Sequence, residues 1–267
     1  MTNTRPPAVA GAFYPGSPAV LAATVDTLLA AAPPRPGSQP KALIVPHAGC
    51  VYSGSTAAQG YAALAPWRAT IRRVILLGPT HRVGVNGLAL PESEVFATPL
   101  GEIPLDRAAI AAIAGLPQIV FSDRVHAQEH SLEVHLPFLQ RALDRFTLVP
   151  LAVGHASPEA VAEVLDRLWG GPETLIVISS DLSHFLPYAA ANQVDRDTCR
   201  HILELDTGIR PEQACGAYPV NGLLLAARQR GLVPQLIHRC NSGDTAGDRQ
   251  RVVGYASFAF TEDAGHG

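Results

Sequence analysis

The chain has 267 residues, a net charge of −3, 47% hydrophobic residues and 16% charged residues. This is the composition of an ordinary water-soluble globule, and it lacks the basic clusters that nucleic-acid and anionic membrane surfaces require. No run approaches the roughly 18 apolar residues of a membrane span and the first residues lack a signal-peptide pattern, so we expect a cytoplasmic protein that binds neither nucleic acid nor membrane.

Apolar runs rich in β-branched residues alternate with helical patterns along the chain. In chain order the predicted elements are a helix over 18–32, a strand over 42–45, a helix over 55–65, a strand over 74–77, short strands with turns over 87–105, helices over 106–114 and 137–145, a strand over 148–153, a helix over 158–169, a strand over 175–178, helices over 188–205 and 220–230, and a strand over 252–260. Unbroken apolar runs predict strands buried on both faces, and intervening helices predict crossover connections. The last strand alternates in part, which is typical of an edge or antiparallel strand. We therefore predict one α/β domain over residues 1–267, with a mixed, mostly parallel sheet and helices on both faces.

Three of the apolar runs end in polar residues on short turns. His47 follows in IVPHAG, His81 follows in LLGPTH, and Asp181 and His184 follow in ISSDLSH. Because the loops at the carboxyl ends of parallel strands converge, we expect these four side chains to share one site. The alternative is that each histidine is an ordinary turn residue and that Asp181 caps the following turn.

A fourth candidate segment reads HAQEHSLEVHLPF. In a continuous helix His135 would point about 140° away from His130, so the whole segment cannot face one site. The alternative is an ordinary helix start with Ser131 as N-cap, or a helix that begins at Pro137. We select Glu129 and His130 as site residues and expect His135 to be structural.

The chain has four cysteines and no C-x-x-C pair, which argues against disulfides in a cytoplasmic protein and against a zinc ribbon. Cys215, in QACGAYPVNG, precedes an apolar helical pattern. A thiol at a helix N-terminus has a lowered pKa and is competent as a thiolate ligand or nucleophile. A small buried cysteine is the alternative interpretation.

Six motifs occur in the order seen in the Memo-like family, which includes the AmmeMemoRadiSam system protein B. They read VPHAGCVYSGS, ILLGPTH, EHSLEVHLPFL, VISSDLSH, CGAYPV and SGDTAGD, and the match covers nearly the whole chain. The chain is also similar, more distantly, to class III extradiol ring-cleaving dioxygenases. The resemblance implies the α/β fold that the two groups share.

The resemblance also implies a metal site. The family's two metal-binding histidines match His47 and His81, and its third ligand matches Cys215. The dioxygenases hold Fe(II) with two histidines and a carboxylate, whereas a thiolate takes the third position here. Fe(II) is the metal that the resemblance favours, with copper or zinc as alternatives because both suit sulfur ligands.

Further roles follow from the same resemblance. The S-D-x-x-H pair matches Asp181 and His184, and His184 takes the place of the acid–base histidine of the dioxygenases. Glu129 and His130 match the E-H-S motif that lines the same cleft. Cys240 stands where relatives often carry an aromatic residue, which puts an extra thiol near the site.

Three functions are compatible with these residues. The first is a non-heme iron redox or oxygenase-type enzyme that acts on a small molecule, with His184 moving a proton. The second is a non-catalytic protein that binds a metal or a peptide. The third is metal-free hydrolysis by Cys215 with His184 as base, which leaves the two metal-type histidines unexplained. We favour the first, with a small-molecule substrate or metal and, from the resemblance, a radical SAM enzyme as partners.

Overall fold

The computed structural model describes residues 3–33 and 37–262. Its strands are β1 (Thr4–Arg5), β2 (Pro40–Val45), β3 (Arg73–Pro79), β4 (Leu88–Leu90), β5 (Val95–Thr98), β6 (Gly101–Pro104), β7 (Ile119–Phe121), β8 (Thr147–Val153), β9 (Thr174–Ser179), β10 (His184–Leu186), β11 (Leu232–Asn241) and β12 (Val252–Glu262). Its α-helices are α1 (Pro18–Ala31), α2 (Cys50–Ala62), α3 (Arg107–Ile113), α4 (Asp123–Ala127), α5 (Leu136–Ala142), α6 (Pro158–Leu168), α7 (Tyr188–Leu203) and α8 (Ala217–Gln229). Within the described ranges, no helix is both long and apolar enough to cross a bilayer.

The central sheet runs in the order β10-β12-β2-β9-β3-β8-β4-β7, and β11 pairs with β12. The strands β2, β9, β3 and β8 are parallel to their neighbours in this series, whereas β12 runs antiparallel to β2. Every residue of β2 and β9 is buried, as expected for strands that are covered on both faces. The predicted α/β fold with a mixed, mostly parallel sheet and flanking helices is confirmed.

The structure differs from the predicted elements in several places, and β12, β11 and α2 are three of them. The sequence predicts that the last strand, β12, is an edge strand or an antiparallel strand. It is antiparallel, and it is not an edge strand because β2 lies on one side of it and β11 lies on the other. The strand β11 was not predicted, because its polar residues interrupt the apolar pattern of a half-exposed edge strand. The helix α2 begins at Cys50 rather than five residues later, so it starts directly after the turn that carries His47.

A buried carboxylate fastens the N-terminal segment to the rest of the domain. Glu133 is fully buried and pairs with the guanidinium of Arg5. Its carboxylate also accepts the hydroxyl of Tyr14 at 2.5 Å and two backbone N–H groups at 2.8 and 3.0 Å. These bonds place the ring of Phe13 with its centroid 4.6 Å from that of His130, so the segment forms one wall of the candidate site.

Candidate metal centre

Three neighbouring strands deliver polar residues to one edge of the sheet. The strand β9 lies between β2 and β3 and is parallel to both. His47 therefore follows one strand, Asp181 follows the next and His81 follows the third. In contrast, His184 does not directly follow β9, because it is the first residue of β10.

Three imidazoles gather at this edge. His47, His81 and His130 each offer a ring nitrogen, and these nitrogens lie within 4.8 Å of one another. The ring centroids of His81 and His130 are 4.6 Å apart, and that of His47 is 5.2 Å from the first and 5.4 Å from the second. Two nitrogens bound to one tetrahedral ion lie about 3.3 Å apart, so the three ring nitrogens would have to move slightly closer together to bind one ion. The group could hold a metal ion.

A serine on β9 orients His47. The hydroxyl of Ser179 lies 2.6 Å from Nδ1 of His47 and donates its own proton to the carbonyl of Ser131 at 2.7 Å. The serine must therefore accept a proton from Nδ1, which leaves Nε2 of His47 with a free lone pair. Burial, reinforced by the neighbouring His81, lowers the pKa of His47 well below 6.5, so the ring is neutral.

Glu129 orients His81 in a similar way. Its Oε1 lies 2.9 Å from Nδ1 of His81, and the carboxylate also accepts the backbone N–H groups of His81, His130 and Ser131 at 2.5, 2.9 and 3.0 Å. Burial alone would raise the pKa of Glu129, but these hydrogen bonds outweigh it and lower the pKa to about 2. The ionised carboxylate accepts a hydrogen bond from Nδ1 of His81, so Nε2 is the nitrogen that remains for an ion. Metal-binding histidines characteristically have such a partner on the second ring nitrogen.

Cys215 lies beside His47 but outside the group of three imidazoles. Its Sγ is 3.6 Å from Nε2 of His47 and accepts the backbone N–H of Asp181 at 3.3 Å. A Cβ on the next residue, Gly216, would lie only 2.5 Å from the carbonyl oxygen of Ser179, so glycine is required for α8 to start this close to β9. The predicted lowering of the thiol pKa is wrong. Burial raises the pKa of Cys215, and the neighbouring Asp181 carboxylate adds to the effect.

Asp181 holds the turn that carries His47. Its Oδ1 accepts the backbone N–H of His47 at 2.8 Å, and its Oδ2 lies 4.0 Å from Nε2 of the same residue. Burial raises the pKa of Asp181, and the nearby imidazole of His184 opposes this effect. The predicted site residues therefore occupy one place, although their individual roles stay predictions.

A cleft with a volume of about 510 Å³ opens beside the imidazoles. Its polar lining includes His130, Asp181, His184 and Arg251, and its aromatic lining includes Phe13, Tyr52, Phe185 and Tyr255. A cleft of this size accommodates a small organic molecule. The histidine predicted to move protons, His184, therefore lies where a ligand in the cleft would contact it.

Two other histidines of the HAQEHSLEVHLPF segment make hydrogen bonds to groups outside the three imidazoles. His126 is buried and its Nε2 lies 2.9 Å from the carbonyl of Ala89. His135 is also buried, and its Nδ1 lies 2.8 Å from the hydroxyl of Tyr61. Sequence reasoning missed the role of Ser179. The available signal was a hydroxyl residue at the end of a buried strand, just before the site aspartate in ISSD.

Comparisons with known proteins give relatives along the whole chain. The chain is 35% identical over 271 residues to a MEMO1 family protein of Aquifex aeolicus, covering 97% of this chain and 99% of the relative. It is 35% identical over 269 residues to a MEMO1 family protein of Methanosarcina barkeri, covering 95% of this chain and 98% of the relative. It is 31% identical over 281 residues to one of Sulfolobus acidocaldarius, covering 96% of this chain and 99% of the relative.

A solved structure supports the fold. An uncharacterized protein of Escherichia coli K12 superposes with a TM-score of 0.52 at 12% identity, covering 82% of this chain and 98% of that one. The family model described as Memo-like protein matches residues 5–259. With the relatives above, this match shows that the chain belongs to the Memo-like family.

Proposed function

We propose that this protein is a metal-dependent oxidoreductase of the non-heme iron type that acts on a small molecule in the cleft. One observation carries the proposal. Two imidazoles, on the loops that follow β2 and β3, each have Nδ1 at a hydrogen-bond acceptor, the hydroxyl of Ser179 for His47 and the carboxylate of Glu129 for His81, so Nε2 is the nitrogen left to bind an ion. A hydrogen-bond acceptor on the second ring nitrogen is typical of metal-binding histidines.

We assign His47, His81 and Cys215 as the ligands. The sulfur of Cys215 lies 3.6 Å from Nε2 of His47, and sulfur and nitrogen ligands of one tetrahedral ion lie about 3.5 Å apart. His130 is the alternative third ligand, because its nitrogen belongs to the compact imidazole group. Fe(II) is our first choice of metal, with copper or zinc as alternatives, since a thiolate suits all three.

The bound ion would supply Lewis-acid and one-electron redox chemistry to a substrate oxygen. The chain's own residues have complementary tasks in this proposal. His184 lines the cleft and exchanges a proton with the substrate. Asp181 fixes the His47 turn by accepting its backbone N–H, and Glu129 does the same for His81.

A non-catalytic role in binding a metal or peptide is the second candidate. The observation in its favour is an exposed apolar edge at the start of α2, where Val51 is 70% and Tyr52 40% exposed. Exposed apolar side chains beside a cleft are typical of surfaces that bind a partner. A cytoplasmic location and a radical SAM enzyme as partner belong to our proposal through the family resemblance, and co-purification from cells would test the partner.

Elemental analysis of protein purified with and without air tests the proposal. Wild-type protein should carry close to one equivalent of iron, copper or zinc, and the metal-loaded form should consume O₂ when a substrate is supplied. His81→Ala should remove the metal, whereas the control His201→Ala, at a histidine that pairs with Asp206 away from the cleft, should retain it. Metal-free wild-type protein that cannot be reconstituted would refute the proposal. Stoichiometric metal without any O₂ consumption would favour the second candidate.

A further inference from the structure

An unusual backbone conformation lies at the mouth of the cleft. The pairing of β10 with β12 shifts register between His184 and Leu186, so Phe185 between them has no partner residue. Phe185 has a φ of 59°, in the left-handed region that non-glycine residues avoid. Its side chain is 60% exposed. The bulge thus holds an aromatic ring in solvent next to His184, an arrangement that bulges beside functional sites often produce.

Arg251, the residue just before β12, completes this feature. Its guanidinium lies 5.0 Å from the centroid of the Phe185 ring. In the described part of the chain, no carboxylate forms an ion pair with it. The nearby Asp248 directs its Oδ1 at the backbone N–H groups of Gln250 and Arg251, at 2.7 and 3.3 Å. The guanidinium donors of Arg251 are therefore available to a ligand.

The rest of the cleft lining indicates what that ligand looks like. Arg251 is the only lysine or arginine among the described lining residues, and Phe13, Tyr52 and Phe185 supply aromatic surfaces. Aromatic walls favour flat ligands. A guanidinium that rests on an aromatic ring keeps its in-plane N–H groups free for two-point binding of a carboxylate or phosphate.

We propose that the cleft binds a flat organic anion and that Arg251, seated on Phe185, is the residue that selects its negative charge. The inference rests on the proposed function, because this is the cleft of the proposed metal centre. Anion recognition by Arg251 nevertheless does not require a bound metal, so an experiment can refute either the anion site or the metal centre without refuting the other.

Calorimetric titration of the full-length protein with three probes tests the inference. The probes are benzoate, phenyl phosphate and the neutral benzyl alcohol, each titrated into metal-free and iron-loaded protein. At least one anion should bind metal-free protein about tenfold or more tightly than benzyl alcohol, since charge-assisted hydrogen bonds are the strong ones. The anion that binds more tightly decides between a carboxylate and a phosphate ligand.

Arg251→Gln should weaken binding of the preferred anion about 10- to 100-fold and leave benzyl alcohol unchanged. Arg251→Lys keeps the positive charge but loses the planar pair of N–H donors, so it should weaken anion binding by an intermediate factor. The matched control is Arg249→Gln, because the guanidinium of Arg249 rests on Tyr188 at 4.5 Å and is not part of the cleft lining. It should bind the anion within about twofold of wild type.

Equal binding of the anions and benzyl alcohol, no anion binding at 10 mM, or equal effects of the Arg251 and Arg249 variants would each overturn the inference. Anion selectivity in a protein that binds no metal would refute the metal centre alone. A metal-loaded protein without anion selectivity would refute only the role of Arg251.

Discussion

The hydroxyl of Ser179, the last residue of β9, lies 2.6 Å from Nδ1 of His47 on the loop after β2. The same hydroxyl donates its proton to the backbone carbonyl of Ser131, so it can only accept a hydrogen bond from the imidazole. This single contact decides which nitrogen of His47 is available to an ion.

Ser179→Ala should therefore weaken metal binding about 10- to 100-fold, because the ring loses the partner that fixes its tautomer and orientation. It should also lower the free energy of unfolding by about 1–3 kcal/mol, because buried hydrogen-bonding groups lose their partner. A matched control is Ser257→Ala, which removes another buried hydroxyl that donates to the carbonyl of Thr56 at 2.7 Å. The control should lose stability and keep metal affinity. Equal metal affinities of the two variants would contradict the role of Ser179.

Glu129→Gln should make the free energy of unfolding less dependent on pH below about 4.5. The folded pKa of Glu129 is about 2 and the ordinary value is 4.5, so the ionised carboxylate stabilises the fold above about pH 4.5. That contribution, about 3 kcal/mol, is lost as the pH falls from 4.5 toward 2. Urea denaturation at a series of pH values measures it. The difference in unfolding free energy between wild type and variant should shrink by about this amount, and parallel curves would rule out an ionised Glu129.

The pH dependence of metal affinity should reveal whether Cys215 is a ligand. Burial raises its thiol pKa, so a metal must displace a proton from it throughout the neutral range. The logarithm of the affinity for zinc should then rise by about one for each pH unit between pH 7.5 and 9. Imidazoles are ordinarily neutral over that range and contribute no slope. Cys215→Ala should bind zinc more weakly, and its affinity should not change with pH over this range. A wild-type affinity that is also independent of pH over this range, and that Cys215→Ala leaves unchanged, would point to His130 as the third ligand.

His184→Gln should leave the metal content near that of wild type while removing turnover. We expect a loss of about 10²–10⁴ in rate once a substrate is known, because a proton-transfer group is removed. His81→Ala should lose metal and activity together. Metal content is measurable without a substrate, so an empty site in His184→Gln would already show that the division of roles is mistaken.

Phe185→Gly should be more stable to urea than Phe185→Ala by about 1 kcal/mol. The left-handed conformation at this position costs an alanine about 1–2 kcal/mol, whereas glycine adopts it freely and loses part of the gain to its unfolded-state entropy. Both variants remove the same exposed ring, so the comparison isolates the backbone. If alanine proves as stable as glycine, the bulge is not strained.

The sequence predicted the location of the site better than its internal arrangement. His47 and His81 could be placed because each follows an unbroken apolar run, and parallel strands bring such ends together. The local pattern does not encode strand order, so nothing indicated that β9 separates β2 from β3. The bond from Ser179 to Ser131 joins residues 48 positions apart, a distance at which no motif operates.

Electrostatic properties were the least predictable part. Cys215 stands just before a helix, which by itself lowers a thiol pKa. Its actual surroundings include the end of β9 and the Asp181 carboxylate, and burial there reverses the shift. Burial depends on the packing of several elements, so it could not be deduced from the segment QACGAYPVNG alone.

The position of β9 between β2 and β3 also determines when during synthesis the site can exist. The ribosome releases β2 and β3 long before β9, and a nascent chain that ends before residue 179 lacks both Ser179 and Asp181. Until then the two histidine loops have no strand between them to set their spacing. Cys215 emerges later still. With Cys215 as the proposed third ligand, a growing chain completes the proposed site only after residue 215 has been translated.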